Sequence, residues 1–481
     1  MKELFGTDGI RGVANSYPMT VEMAVNTGVA IAKYVKQEGY RCVVIGRDTR
    51  LSGQMLESAL AAGITSQGVD VLIAGVIPTP AVAFLLSAFN QMETDRSQAG
   101  VSGAEEITGE GDVLGAAIMI SASHNPWQDN GIKIFKRGGW KLSDDEEKNI
   151  ELMIFFSTLS EQVEGQEGTN DIGKIYYIKN SEKIYCDFLK RCFCIKRADF
   201  THYRNTPLKI VVDCSNGAAS VVAPMLFGNP SLFDANFIFN SPDGKNINHQ
   251  CGSQHTETLS RNVVESGADI GLAFDGDADR LIAIDETGAV ITGDRILAIC
   301  AAHAKEKGTL DNNRVVSTVM SNIGLARTLE SLGVEHLITG VGDREVLQKM
   351  VESGAVMGGE DSGHMIFSQY HTTGDGLLTS LRLIDVMIDT GKSLSELASI
   401  MKVYPQVLMN VEVNASRPDF MAVKEIADEI GAVEAELGAD GRVLVRYSGT
   451  QPLLRVMVEG PEESKTRDCC ERICNKIRGA I

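Results

Sequence analysis

Asp275-Gly-Asp-Ala-Asp279-Arg280 sets three carboxylates at alternate positions between two apolar runs, Ile270–Phe274 and Leu281–Ile284. Runs of that length read as strands, and the loop between them gathers hard oxygen donors suited to Mg²⁺. The spacing also opens an EF-hand, and Glu286 falls at its twelfth position. Arg280, however, occupies the place of the required glycine, and strands rather than helices flank the loop. A merely solvated acidic turn would hold three like charges between buried strands without a counterion, which is costly.

The stretch Ser121–Phe135 follows the apolar run Ala116–Ile120, so a buried strand delivers Ser123 to a turn at Asn125-Pro126. Ser123 has the setting of a nucleophile, with His124 beside it and Lys133 beyond the Asn130-Gly131 turn signal as proton carrier and cation. Alone, this stretch reads more readily as a polar turn capped by its own Ser and Asn side chains.

Two further loops carry polar groups in recognisable sets. Gly358-Gly-Glu-Asp-Ser-Gly-His364 lets the backbone approach a ligand, while Glu360, Ser362 and His364 offer donors and acceptors for sugar hydroxyls. Arg446, Ser448, Gly449, Thr450 and Arg455 bring two guanidiniums, two hydroxyls and an open backbone into ten residues, a nest for one phosphate. Such a cluster stands out in a chain of net charge −19, a charge that argues against nonspecific nucleic-acid binding.

Strand and helix patterns alternate around these loops. Helical spacing over 21–35, the strand Cys42–Ile45, a helix over 51–67 and a strand over 69–76 predict a mostly parallel sheet covered on both faces. The uncharged run Val71–Phe89 is long enough for a bilayer, but Pro78 and Pro80 divide it into a strand and a helix. The polar segment 91–112 reads as an exposed excursion and 165–173 as a linker. Ser143 with Glu146 three residues on marks a capped helix start. Strand–turn–helix units recur at 209–226 and 314–332, and 406–481 reads as a small α+β domain. At 481 residues, with 43% apolar and 23% charged, the chain is an ordinary multidomain globular protein. The ten cysteines lack zinc-site spacing, and the amino-terminal residues carry no signal-peptide core, so a reduced, cytoplasmic setting is expected.

In this order and spacing the four loops resemble those of the α-D-phosphohexomutase superfamily, over essentially the whole chain. Phe5–Gly12, Asp48–Gly53, Gly75–Ala81, Cys251–Ser253, Thr372–Gly376 and Arg446-x-Ser-Gly-Thr450 are most similar to the branch of bacterial phosphoglucosamine mutases. The resemblance implies an α/β fold of three similar domains with mixed, mostly parallel sheets, plus a smaller C-terminal α+β domain, around a central cleft. Their expected bounds are 1–172, 173–294, 295–405 and 406–481. It further implies a phosphate carried on Ser123, with Ser123, Asp275, Asp277 and Asp279 holding one Mg²⁺. Glu360, Ser362 and His364 would bind the sugar, and Arg446, Ser448, Gly449, Thr450 and Arg455 its distal phosphate. Arg11, His124, Lys133 and Arg280 would complete the catalytic pocket, Lys133 being a candidate proton carrier.

The implied reaction interconverts glucosamine 6-phosphate and glucosamine 1-phosphate through a bisphosphorylated sugar, feeding UDP-N-acetylglucosamine and cell-wall precursors. The implied partner is a phosphosugar, with no nucleic acid or membrane, and the oligomeric state is open between monomer and homodimer. Competing readings are a phosphoglucomutase or phosphomannomutase, a Mg²⁺-dependent phosphohydrolase, and a noncatalytic metal-binding protein. Departures from the superfamily pattern include Ala278, expected to be tolerated with a negative φ, and Asp361, expected to favour the ammonium of an amino sugar.

Overall fold

The computed structural model describes residues 4–6, 8–91, 114–159, 171–193, 206–413, 418–448 and 452–481. Nearly all of the expected excursion 91–112 and most of the linker 165–173 lie outside the described residues, as do Gly449 and Thr450. The chain forms two compact units, one of Met1–Val319 with Leu337–Ala398, the other of Met320–His336 with Ser399–Ile481.

The first unit opens with strands β1 (Phe5–Gly6), β2 (Gly9–Val13), β3 (Cys42–Arg47), β4 (Asp70–Val76), β5 (Leu114–Ile120), β6 (Asp129–Lys136), β7 (Trp140–Lys141) and β8 (Ile175–Tyr177). They form one sheet in the order β1-β2-β6-β5-β3-β4-β8, with β7 beside β6. Its heart is parallel, β5 and β4 flanking β3 and β8 joining β4, while β6 and β2 add an antiparallel margin. The all-apolar β5 is buried along its whole length, as a strand covered on both faces must be. Each fully buried Ile in it contributes about 1.5–3 kcal/mol by leaving water. The run 71–89 divides as its prolines require, with β4 ending at Val76 and a helix spanning Thr79–Gln91. Among the described residues no helix is long and apolar enough to cross a membrane. The capping box is present, with Ser143 N donating to Glu146 and Glu146 N to Ser143 Oγ.

A second sheet, in the order β10-β9-β11-β12-β13, contains β9 (Leu208–Asp213), β10 (Phe233–Ile238), β11 (Ile270–Phe274), β12 (Leu281–Asp285) and β13 (Val290–Ile291). Strands β10, β9 and β11 are parallel, and β11 turns back antiparallel into β12. A third sheet contains β14 (Arg314–Thr318), β15 (Glu335–Thr339), β16 (Met357–Gly359) and β17 (Met365–Phe367), of which β15 belongs to this unit from Leu337 on. Ser123 follows β5, Asp275 follows β11 and Glu360 follows β16. All three sit at the carboxyl ends of parallel-sheet strands, where α/β folds place their ligands.

The second unit is a three-stranded antiparallel sheet, β18 (Gln406–Glu412), β19 (Arg442–Tyr447) and β20 (Leu453–Glu459), in the order β18-β20-β19. Helices Lys424–Leu437 and Glu463–Ala480 cover one face, burying Ile426, Val433, Ile473 and Ile477 against Val407, Leu454, Val456 and Val458.

Candidate active site

Strand β5 delivers Ser123 into the interior of a loop, only 1% exposed and in the left-handed backbone region at φ 52°. Its Oγ donates to Asp275 Oδ2 at 2.6 Å and lies 3.3 Å from His124 Nδ1. Burial, reinforced by Arg280 and Arg11, pushes the His124 imidazole down to about 4, so the ring is neutral at ordinary pH. Ser123 N donates to Ser121 Oγ at 2.9 Å, and Ser121 Oγ donates to Asp48 at 2.6 Å, so the Ser123 peptide is fixed from behind.

The turn between β11 and β12 places a carboxylate oxygen from each of Asp275, Asp277 and Asp279 within 4.8 Å of one another. All three side chains are buried. Asp277 Oδ2 accepts from Thr79 Oγ1 at 2.5 Å and from Lys133 Nζ at 2.8 Å. Asp277 Oδ1 and Asp279 Oδ1 have no hydrogen-bond partner among the described residues. Two orphaned anionic oxygens in one buried, all-oxygen cage fit a hard divalent cation. Burial, together with Asp279 and Asp277, raises the Asp275 carboxyl well above its ordinary range. Burial alone would raise Asp277 too, but the Lys133 ammonium outweighs it and holds that carboxyl low.

Lys133 is itself buried, 3.0 Å from Asp8 Oδ2 and 3.3 Å from Asp279 Oδ2. Burial would lower it, yet Asp277, Asp8 and Asp279 together push it well above its ordinary value, so it stands as an ammonium ion. Arg11 pairs with Asp8 at 2.5 Å. Arg280 N donates to Asp275 Oδ1 at 3.2 Å, its guanidinium lies 3.7 Å from Asp279, and its backbone bridges to His364. The His364 ring stacks flat on Gly374, where a Cβ would fall 2.3 Å from it, and points Nε2 at Asp343 from 3.5 Å. Glu360 lends its charge to Arg280 and accepts from Gly342 N at 3.2 Å. Ser123, His124, Lys133, Arg11, Arg280, Glu360, His364 and the three aspartates thus share one charged network, while Ser362 is exposed at the tip of its turn.

Two expectations change. Ala278 has φ 56°, not a negative value, and is held there by Ala278 N donating to Asp275 O and Gly376 N donating to Ala278 O, both at 3.0 Å. The hairpin therefore stores about 1 kcal/mol of strain that a glycine would release. Asn130-Gly131 is not a turn but the start of β6, paired with β2. The missing Cβ of Gly131 leaves room for Ser121 O, 2.5 Å from where that Cβ would sit. The Asp361 carboxylate, for its part, accepts from Asp294 N at 3.4 Å, in the first turn of the helix Gly293–Glu306.

In the second unit, Arg446 and Arg455 face each other across β19 and β20. Arg455 Nη2 lies 3.5 Å from Ser448 Oγ, and Arg455 Nε has no partner among the described residues. Burial and the like charge of Arg455 both lower the Arg446 guanidinium.

Four family models, the phosphoglucomutase/phosphomannomutase alpha/beta/alpha domains I, II and III and the C-terminal domain, match residues 2–159, 183–288, 292–404 and 408–476. The phosphoglucosamine mutase of Desulforapulum autotrophicum is 59% identical over 488 residues, covering 100% of each chain. The chain belongs to the phosphohexomutase family, in its phosphoglucosamine mutase branch. The phosphoglucosamine mutase of Syntrophus aciditrophicus is 48% identical over 99% of each chain. Among solved structures, a phosphoglucomutase/phosphomannomutase family protein from Burkholderia thailandensis superposes with TM-score 0.78 at 27% identity, covering 99% of this chain and 97% of that one.

Sequence reasoning assigned no role to Asp8, Thr79, Lys141 or Asp343. Lys141 joins Asp8, at 2.5 Å, to Asp343, and so ties the Lys133 cluster to His364. Partners 133 and 202 residues apart leave no local pattern. The available signals were Asp8 within the Phe5–Gly12 motif and Thr79 within Gly75–Ala81.

Proposed function

We propose that the enzyme, a phosphohexomutase, interconverts glucosamine 6-phosphate and glucosamine 1-phosphate, with Ser123 as the phosphate carrier. The observation that carries this reading is Ser123 Oγ seated 2.6 Å from Asp275, beside two carboxylate oxygens that lack a hydrogen-bond partner among the described residues. Asp275, Asp277, Asp279 and Ser123 would hold one Mg²⁺. Bound there, the ion would supply positive charge that stabilises a transferring phosphoryl group.

The chain's own groups account for the rest. In the first half-reaction the Ser123 Oγ–P bond breaks as a sugar hydroxyl oxygen bonds to phosphorus, and the hydroxyl proton leaves to a nearby base. In the second, the sugar's other O–P bond breaks as Ser123 Oγ bonds to that phosphorus; the serine proton leaves to a base and the departing sugar oxygen takes up a proton. Lys133 remains the candidate proton carrier, and its three carboxylate contacts hold it protonated and ready to donate. Neutral His124, 3.3 Å from Ser123 Oγ, is placed to accept the serine proton as phosphate returns. Arg11 and Arg280 attract the phosphate, and Glu360, Ser362 and His364 orient ring hydroxyls. The Arg446–Arg455 pair, with Ser448, Gly449 and Thr450, grips the phosphate that is not being transferred. The setting is the cytoplasm.

Intact mass of the active enzyme should show one added phosphate, mapped to Ser123. Ser123→Ala should lose it and fall at least about 1,000-fold in mutase turnover while keeping its unfolding midpoint. Release of inorganic phosphate without isomerisation would replace the mutase by a hydrolase, and a substrate panel separates glucosamine from glucose and mannose phosphates.

A further inference from the structure

We infer that Asn248 and Arg50 are positioning residues that clamp the backbone on either side of His124, holding Ser123 against the carboxylate hairpin. The inference rests on Ser123 being the phosphate carrier. L-Serine adopts φ 52° only where surrounding groups impose it. Here the imposition is visible. Asn248 Nδ2 donates to Ser123 O at 2.8 Å and to Asn125 O at 3.0 Å, and Arg50 Nη2 donates to the same two carbonyls at 3.1 and 2.6 Å. Both carbonyls must face the same way to meet these donors, and a left-handed Ser123 turns them so.

Neither donor is free to wander. Arg50, 1% exposed, is locked by Nη1 on Asp48 at 2.5 Å and by Nε on Asp129 O at 2.8 Å. Asn248, at φ 58°, donates its own N–H to Ser215 O at 2.9 Å. Space for the clamp comes from Gly276 of the carboxylate hairpin. A Cβ there would lie 2.6 Å from Ser123 O and 2.9 Å from Asn248 Nδ2. Neither side chain donates to the serine hydroxyl, which is engaged with Asp275. The clamp grips the main chain alone, so its hold is the same whether Ser123 carries phosphate or has just given it up. A carrier that must empty and refill at one spot in every cycle needs such a hold.

Asn248→Gly removes both donors while suiting φ 58°, Asn248→Asp keeps the shape but not the donors, and Arg50→Lys keeps the charge facing Asp48 without the fork. In phosphorylated full-length enzyme, each should lower kcat about 10- to 100-fold in both directions, with KM within about threefold of wild type. Phosphate should still map to Ser123, and its ³¹P resonance should shift or broaden. If Asn248→Gly does not fold, Asn248→Asp carries the test. Wild-type kcat per folded molecule, or a loss of thermal stability with the ³¹P resonance unmoved, overturns the clamp while leaving the mutase reading standing. Phosphate mapping away from Ser123 overturns both.

Discussion

Two hairpins in this chain concentrate like charge, and they deal with it in opposite ways. The β11–β12 turn crowds three buried carboxylates together, and the protein offsets them in part with Lys133 and Arg280. The β19–β20 hairpin sets Arg446 directly across from Arg455 and leaves both without a paired carboxylate among the described residues. A cluster partly neutralised from within is a built site, organised before any substrate arrives. One left uncompensated is a binding surface whose repulsion an incoming anion relieves. Stability should therefore depend on the first hairpin and affinity on the second.

The sharpest way to break that contrast is to remove one cation from each. Lys133→Met should cost about 3–5 kcal/mol of stability by urea unfolding in EDTA, because it strands buried carboxylates. Arg455→Met should stay within about 0.5 kcal/mol of wild type, or gain, yet lose roughly 100-fold in kcat/KM, chiefly through KM. Equal destabilisation by both would end the distinction. A smaller effect sharpens the account of the first hairpin. Ala278→Gly should raise its stability by about 0.5–1 kcal/mol net, since the strain it releases exceeds the glycine's extra chain entropy. A loss of stability would show that φ 56° is not strained. The smallest effect is expected at Asp361, whose carboxylate serves the helix start at Asp294. Asp361→Gln should leave the ratio of kcat/KM for glucosamine over glucose phosphates within about twofold of wild type. A larger fall would restore the carboxylate as a selector of amino sugars.

Much of this was legible because the chemistry is packed into short loops after hydrophobic strands. The Asp275–Asp279 triad, Ser123 behind Ala116–Ile120 and the Ser143 cap all announce themselves by spacing of a few residues. What escaped depends on distance or on backbone angle. Lys141 meets Asp8 and Asp343 only after folding, and Arg50, though inside the Asp48–Gly53 motif, shows its role only once three main-chain carbonyls close around it. The left-handed Ala278 contradicts local preference because hydrogen bonds from Gly376 and to Asp275 override it. Asn130-Gly131 carries a turn signature, yet pairing with β2 and the close approach of Ser121 O win.

The bridge from Asp8 through Lys141 to Asp343 has a consequence for synthesis. Translation delivers these residues one after another, and earlier domains fold while later ones are still on the ribosome. A nascent chain shorter than 343 residues can already present Ser123 and the aspartates, but Lys141 then holds only one of its two carboxylates and His364 has not been made. Completion of the network thereby waits for residues 343 and 364 to be made, and a chain cut short of them would display Ser123 without Asp343 and His364.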